Sequence, residues 1–546
     1  MMERFGLDPE SRAMVLDVVD KLKARLLTRE RILEYDRKEV FPEEVIREML
    51  GPDIGLQLLF IPEEYGGMGG GARDCCALTR KMAGVCLGIA TAFFAIQLGA
   101  DPILVGGTQA QKERWLEAIA EGGALVAYAV TEPGAGSNLA ALKTKAEPVL
   151  DESGSISGYR ITGNKQFIST GGYADFLTVL ADTPDGPSFF IVEKGTPGFV
   201  PGKAEEKHGI RASNTAALRF DDVFVPADRL VGETPGQGLK QANAVFGYTR
   251  LMVAAMALGA AEAALAIVVP YAKDRIQFGT PLSEKQGYTH KLVVPHAVRL
   301  SAAEAFIDEV ALRIDAGEQD LQVEGSIAKL FATEVANRAA DDAMQALGGY
   351  GYTVEFGVEK IKRDIKITCI YEGTSEIQQN IISTFRWKKT WKTKGRFYLD
   401  MADEMAQWAE KYADVGAAMV SQCARYLNRI ILLAHERRWT RSQYTMFLLA
   451  DMMTQVEVAV ARVRKTVQAI EAASDAQEKE KVFSRIFSVQ SAECILTNGL
   501  KVLLGTEMCE AATQLAGDMS RDLSCGANLL INDMDAAASF IFGRAS

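Results

Sequence analysis

Only four histidines occur in the 546 residues. His208, His290, His296 and His435 lie apart and form no H-E-x-x-H or other ligand spacing, which argues against a histidine-built metal centre. The eight cysteines (Cys75, Cys76, Cys86, Cys369, Cys423, Cys494, Cys509 and Cys525) contain no C-x-x-C pair and no zinc spacing. We therefore expect free thiols in a reducing, cytoplasmic setting, and no metal. Basic residues are in deficit, 60 Lys plus Arg against 71 Asp plus Glu, for a net charge of −11. That disfavours nucleic acid as the main partner. The opening residues, Met1 to Pro9, lack the apolar core of a secretory signal. The longest apolar stretch, 251–272, contains Gly259, Glu262 and Pro270 and much alanine. It reads as a buried bundle helix, so no transmembrane segment is expected, with peripheral membrane contact left open. No G-x-G-x-x-G opens a helix, so the Rossmann fingerprint is missing.

The hydrophobic share of 48% and the charged share of 24% suit an ordinary globular chain. Its length suggests roughly three to four domain-sized units. The texture divides it into a helical region 1–123, a β-rich region 124–235, a helical bundle 236–390 and a helical extension 391–546. The fold class expected is mainly α with a central β-domain, small and barrel-like. Tyr159 to Thr162 and Gln166 to Ser169 flank Gly163-Asn164, a hairpin signal. Phe176 to Ala181 and Ser188 to Glu193 flank Pro184-Asp185-Gly186-Pro187, a second turn. Ala216 to Val225 is a further strand, closed by Pro226. In the extension, Leu449, Met452, Val456, Val460, Val463, Val467 and Ile470 step by three or four, marking one buried helix face.

Several segments carry chemistry. Tyr128-Ala-Val130-Thr131-Glu132-Pro-Gly-Ala-Gly136-Ser137-Asn138 is a strand ending in a glycine-rich turn with two hydroxyls. Such a turn lets backbone amides approach a ligand, and it equally serves as a plain tight turn. Lys165-Gln-Phe167-Ile168-Ser169 sets an aromatic ring and a hydroxyl at a strand end. Arg275-Ile-Gln-Phe278-Gly-Thr-Pro-Leu, then Gln286, offers an arginine suited to a pyrophosphate, or a surface arginine before a helix break. Gln345-Ala-Leu-Gly-Gly349-Tyr-Gly is a glycine pair after a helix, which can be only a C-cap.

Glu372 lies in Ile370-Tyr371-Glu372-Gly373-Thr374-Ser375-Glu376-Ile377. The residues from Ile365 to Tyr371 read as an extended apolar run. Gly373 frees the backbone, and Ser375 with Gln378 reads as an S-x-x-Q capping box for the helix that follows. The carboxylate is either a general base or a helix-start anion favoured by the dipole.

In this order and at these separations the segments resemble the acyl-CoA dehydrogenase family of flavoproteins, over roughly residues 10–390, including Ile61-Pro-Glu-Glu-Tyr-Gly-Gly67. The joint match of Y-A-V-T-E-P-G-A-G-S, R-x-Q-F-G-x-P-L-x(3)-Q, Q-x-x-G-G-x-G and Y-E-G-T-S-E is highly specific. The resemblance implies FAD as cofactor, with Tyr128, Val130, Thr131, Gly136, Ser137, Phe167, Ile168 and Ser169 against the flavin. It implies that Arg275, Phe278, Gln286, Gln345 and Gly349 reach the FAD of a neighbouring subunit, and that Thr374 and Glu376 contact that of their own. Ser137, Arg250, Tyr371 and Gly373 would contact substrate.

Glu372 falls on the family's catalytic base. The reaction implied is α,β-dehydrogenation of an acyl-CoA to the trans-2-enoyl-CoA, Glu372 taking the α-proton and flavin N5 the β-hydride, with electrons passed to an electron-transfer flavoprotein. An oxygen-using acyl-CoA oxidase, an enoyl-CoA reductase running in reverse and, last, a non-catalytic flavin scaffold are the alternatives. Some relatives keep the base on another helix, at the position of Thr249 here, which supports Glu372 as the sole base. Gly247 replaces an aspartate frequent in the family, which puts one CoA contact in doubt; Asn138 departs from the aspartate usual after G-S, which implies a change in local hydrogen bonding more than in chemistry. Ile89 stands where glutaryl-CoA dehydrogenases carry arginine, implying an uncharged acyl chain along 87–96. The extension resembles that of the very-long-chain dehydrogenases and the acyl-CoA oxidases. A DNA-associated branch has a basic tail, whereas residues 391–546 hold 18 Lys plus Arg and 19 Asp plus Glu. Such tails cover a tetramer surface, so a homodimer is expected.

Overall fold

The computed structural model describes residues 6–506, 509–524 and 529–543. Cys525 lies outside the described residues; the other seven cysteines are free thiols. The chain forms two compact units. One comprises the chain up to Ala260 with Ala311–Gln322 and Arg363–Ile367; the other holds Ala261–Val310, Val323–Lys362 and the chain from Thr368 on.

In the first unit, helix starts follow local rules. Asp8 accepts from the amides of Glu10 and Ser11 ahead of Pro9–Arg25, and Thr108 with Gln111 forms a capping box for Gln109–Ala120. The apolar helix Leu87–Gly106 is buried along most of its length, with Ile89 and Phe93 inaccessible to solvent. Seven strands follow: β1 (Val126–Ala129), β2 (Lys145–Leu150), β3 (Ile156–Ser169), β4 (Phe176–Thr183), β5 (Gly186–Glu193), β6 (Phe199–Ala204) and β7 (Thr215–Pro226). They form one sheet in the order β1-β4-β2-β3-β7-β6, with β5 on β4. The sheet curls around a core that includes Tyr159, Ile161, Leu177, Val179, Phe190, Phe220 and Val223.

The Pro184-Asp185 turn joins β4 to β5 as expected, Thr183 pairing with Gly186. The Gly163-Asn164 hairpin does not exist. β3 runs straight through it, pairing with β2 on one side and β7 on the other. A Cβ on Gly163 would lie 2.4 Å from Thr144 Oγ1, so this glycine admits a close backbone at a register shift rather than a reversal.

The second unit is helical. Its helices include Ser375–Lys392, Ala417–Glu436, Gln443–Glu471 and Gln477–Gly505, and Gln322–Ala346 from its second residue on. The periodic stripe of the extension lies on Gln443–Glu471, where Leu449, Met452, Val456, Val460, Val463 and Val467 are buried. Arg386 forks onto Glu457 at 2.9 and 2.8 Å and also reaches Glu324 at 2.9 Å, all three nearly excluded from solvent. The extension is thereby tied into the bundle by a desolvated ion cluster.

Two helices, Leu87–Gly106 and Gly238–Asp274, are long and apolar enough to cross a membrane, but 83% and 72% of their most apolar windows is buried within the protein. Among the described residues no group of His, Cys, Asp or Glu is placed to hold a metal ion.

Candidate active site

In the first unit, β1 leads into a closed turn. The Glu132 and Ala135 amides and carbonyls bond reciprocally at 3.1 Å, with Pro133-Gly134 at the apex. A Cβ on Gly134 would meet nothing within 4 Å, and one on Gly136 only Thr131 Cγ2 at 4.0 Å. The backbone of this turn is open to an approaching ligand. The turn is laced to the end of β3. Gln166 N donates to Thr131 O at 2.8 Å, and Lys165 Nζ donates to Val130 O at 3.1 Å and to Glu132 Oε1 at 2.8 Å. Glu132 also accepts from the amides of Lys143 and Thr144, at 2.7 and 3.0 Å.

Lys165 and Glu132 form a buried pair, with side chains 0% and 4% exposed. Burial pulls the Lys165 ammonium down to about 8, against the opposing pull of the Glu132 carboxylate. Burial pushes Glu132 up, but its bonds from Lys165, Thr144 and Lys143 outweigh that and leave it below the usual range. The pair fixes Thr131 from both sides.

On the outer side, Phe167 is 64% exposed and held at φ 59°, where a bulky residue is strained. Ile168 is buried, and Tyr128 is half-buried against Phe189. The hydroxyls of Thr131, Ser137 and Ser169 make no side-chain hydrogen bond among the described residues. An exposed ring, three unspent hydroxyls and an open glycine backbone at one strand end fit a flat, polar-edged ring such as a flavin. Thr249 and Arg250 are buried in this unit, the Arg250 guanidinium 5.8 Å from the Phe246 ring.

In the second unit, Glu372 does not follow an extended run. Val358–Ile365 is helical and Lys366–Cys369 is a 3-10 turn. The apolar, β-branched composition of this stretch serves helix packing, with Ile365, Thr368 and Cys369 buried. Ser375 is not the cap either. Thr374 Oγ1 accepts from Ile377 N, while Ser375 Oγ donates to Glu334 Oε1 at 2.7 Å. Gln378 Nε2 reaches back to the carbonyls of Glu372 and Gly373, at 3.1 and 2.9 Å. Glu372 and Gly373 are both left-handed, φ 54° and 87°. Lys329 Nζ donates to Gly373 O as well. Tyr371, Glu372, Gly373 and Thr374 are half-buried, and Glu376 is exposed in the first helical turn.

Arg275, Gln345 and Gly349 line one cleft of about 750 Å³, together with Tyr271, Gln277 and Tyr288. Phe278 stands outside it at 96% exposure, at the tip of a two-residue hairpin whose turn residues, Phe278 and Gly279, both have positive φ. Gln286 is taken up elsewhere: its amide bonds both carboxylate oxygens of Asp535, at 2.8 and 2.9 Å.

Sequence reasoning passed over Lys165, Lys329 and Gln378 as functional groups. The available signal was a lone lysine within an apolar run, as in Ile327-Ala328-Lys329-Leu330-Phe331-Ala332.

The chain matches the acyl-CoA dehydrogenase N-terminal domain over residues 9–123, the middle domain over 127–223 and the C-terminal domain over 236–385. It is 40% identical over 355 residues to the acryloyl-CoA reductase (NADH) of Anaerotignum propionicum, spanning 64% of this chain and 88% of that protein. Among solved structures, the acyl-CoA dehydrogenase of Bacillus anthracis complexed with FAD aligns at a TM-score of 0.84 and 25% identity, over 99% of this chain and 97% of that one. The butyryl-CoA dehydrogenase of Megasphaera elsdenii aligns at 0.65 and 36%, over 70% and 98%. The likeness to the Bacillus anthracis structure takes in the extension as well. Open turn, exposed ring, pinned carboxylate loop and three matched domains lead to one conclusion: the chain belongs to the acyl-CoA dehydrogenase family of FAD-dependent enzymes.

Proposed function

We propose that the protein oxidises an acyl-CoA thioester to its trans-2-enoyl-CoA, with Glu372 as the base that takes the α-proton. Bound FAD supplies the two-electron acceptor for the β-hydrogen. Tyr128, Val130, Thr131, Gly136, Ser137, Phe167, Ile168 and Ser169 would line its ring, and Thr374 and Glu376 would contact the FAD of their own subunit. Arg275, Phe278, Gln345 and Gly349 serve the cofactor of a second copy in a homodimer, with Gln286 beside them. Ser137, Arg250, Tyr371 and Gly373 hold the substrate. The chain is organised in four domains, 1–123, 124–235, 236–390 and 391–546. The protein works in the cytoplasm and hands its electrons to an electron-transfer flavoprotein.

The observation that carries this reading is the Glu372 loop: a carboxylate in a left-handed conformation, its flanking carbonyls held by Gln378 and Lys329. A base must meet a weakly acidic C–H at a defined angle, and a pinned loop supplies that orientation. Thr249, the other candidate position, bears a hydroxyl that cannot accept a proton at neutral pH.

A second reading is favoured by the likeness to an NADH-linked acryloyl-CoA reductase: the same site run toward the saturated acyl-CoA. Anaerobic titration with butyryl-CoA separates the readings. Bleaching of the flavin that persists until an electron-transfer flavoprotein is added supports the dehydrogenase. Fast peroxide formation on admitting air favours an oxidase, and turnover with NADH and an enoyl-CoA favours the reductase. Glu372→Gln should retain FAD and fail to bleach; normal bleaching would refute the base assignment.

A further inference from the structure

We infer that Lys329 is a positioning residue for the Glu372 carboxylate, acting through the Gly373 carbonyl; the inference rests on the proposed role of Glu372. Lys329 lies in the middle of the Gln322–Ala346 helix and its side chain is inaccessible to solvent. An ammonium is strongly hydrated, and burying it is unfavourable unless charge and hydrogen bonds compensate. One of its bonds goes to the carbonyl one residue beyond the base.

The geometry explains why a donor is needed there. Two consecutive left-handed residues, Glu372 and Gly373, present both carbonyls to the side chain of Gln378 rather than to the helix that follows. Gln378 Nε2 is shared between the two acceptors, and its Nε2 also lies 2.6 Å from where a Cβ on Gly373 would stand, so the loop is seated tightly on this side chain. Lys329 supplies a donor that Gln378 alone does not, and it supplies charge.

That charge has a consequence beyond holding the loop. Acids and bases both stand around the loop. Glu334 accepts from Ser375, Asp451 accepts from Gln379, and Glu376 begins the following helix; Arg338 and Lys501 lie on the Asp451 side. In this setting the ammonium of Lys329 favours the ionised form of Glu372, the form that can take a proton. Removing the charge makes protonated Glu372 more favourable, so the base becomes available only at higher pH. Removing a neutral donor to the same carbonyl loosens the loop without that shift.

The test is anaerobic stopped-flow bleaching of the FAD-loaded full-length protein by butyryl-CoA, across the acid and neutral pH range. Lys329→Met should keep its FAD, bleach about 100-fold more slowly, as expected for a misplaced base, and move the acid limb of its pH–rate profile up by about one unit. Gln378→Ala should slow bleaching and leave the limb in place. Lys329→Arg, which keeps the charge, should restore the limb even where the rate recovers only in part. A Lys329→Met profile with wild-type rate and limb overturns the inference, as does a limb that moves equally in Gln378→Ala. Should Lys329→Met fail to fold, a displaced limb in Lys329→Arg overturns it instead. Glu372→Gln is run alongside: normal bleaching there removes the base assignment itself, whatever Lys329 does.

Discussion

Lys165→Met tests whether the Lys165–Glu132 pair is what holds the glycine-rich turn. The substitution keeps most of the apolar stem and removes the ammonium. Val130 O then loses a 3.1 Å donor and Glu132 Oε1 a 2.8 Å one. Breaking a buried pair from one side costs about 3–5 kcal/mol, because the other charge stays behind without its partner. Glu132 still accepts from the amides of Lys143 and Thr144, so the low end, about 3 kcal/mol, is expected. The assay is urea unfolding of the FAD-loaded protein followed by near-ultraviolet circular dichroism, with flavin fluorescence reporting FAD release. FAD should leave earlier than in wild type, since Thr131 and the open glycine backbone lie on the loosened turn. The double variant Lys165→Met with Glu132→Gln should be less damaging than the sum of the two single ones, by roughly 1–3 kcal/mol. A single variant within about 0.5 kcal/mol of wild type, the range of an ordinary surface change, would refute the reasoning. Strict additivity of the double variant would do the same.

The same pair predicts a pH dependence. Lys165 is drawn down to about 8 in the folded chain. Between that pH and the ordinary lysine range, the unfolded chain holds a proton that the folded chain has shed. This group therefore makes the protein more stable as pH rises through that window, with the burial penalty fully present below it. Urea midpoints measured on either side of pH 8 should show this slope in wild type and lose it in Lys165→Met. Arg386→Met should destabilise the second unit by about 3–5 kcal/mol, because Glu457 and Glu324 would remain buried with no counter-charge from Arg386. A fall in the thermal midpoint of the helical signal measures it, and an unchanged midpoint would show the cluster to be dispensable.

The two turns of the β-region show how local information divides. Pro184-Asp185 reverses the chain between β4 and β5, which pair directly across it, and the sequence states this through residue type. Gly163-Asn164 carries the same kind of signal, yet lies within one strand, because the glycine answers to Thr144, which approaches from a neighbouring segment. No local rule distinguishes a glycine kept for a turn from one kept for an intruding backbone. Likewise, the residues before Glu372 read as a strand from their β-branched, apolar composition. Short apolar runs fit either structure, and packing of Ile365, Thr368 and Cys369 made this one helical.

The sequence by itself determined the class of the protein. The β-rich interlude between helical regions, the periodic stripe of the extension and the ordered motifs around Thr131, Phe167, Arg275, Gln345 and Glu372 are local patterns, readable without coordinates. The tertiary structure alone decided which polar groups stand behind them. Lys165 carries no local mark and Lys329 only the apolar run around it, because burial is a property of what packs around a residue. Only folding places Glu132 beside the first and Gly373 beside the second. It also moved the cap from Ser375 to Thr374 and turned Gln378 back onto the loop, a choice made by Glu334 and by the carbonyls of Glu372 and Gly373.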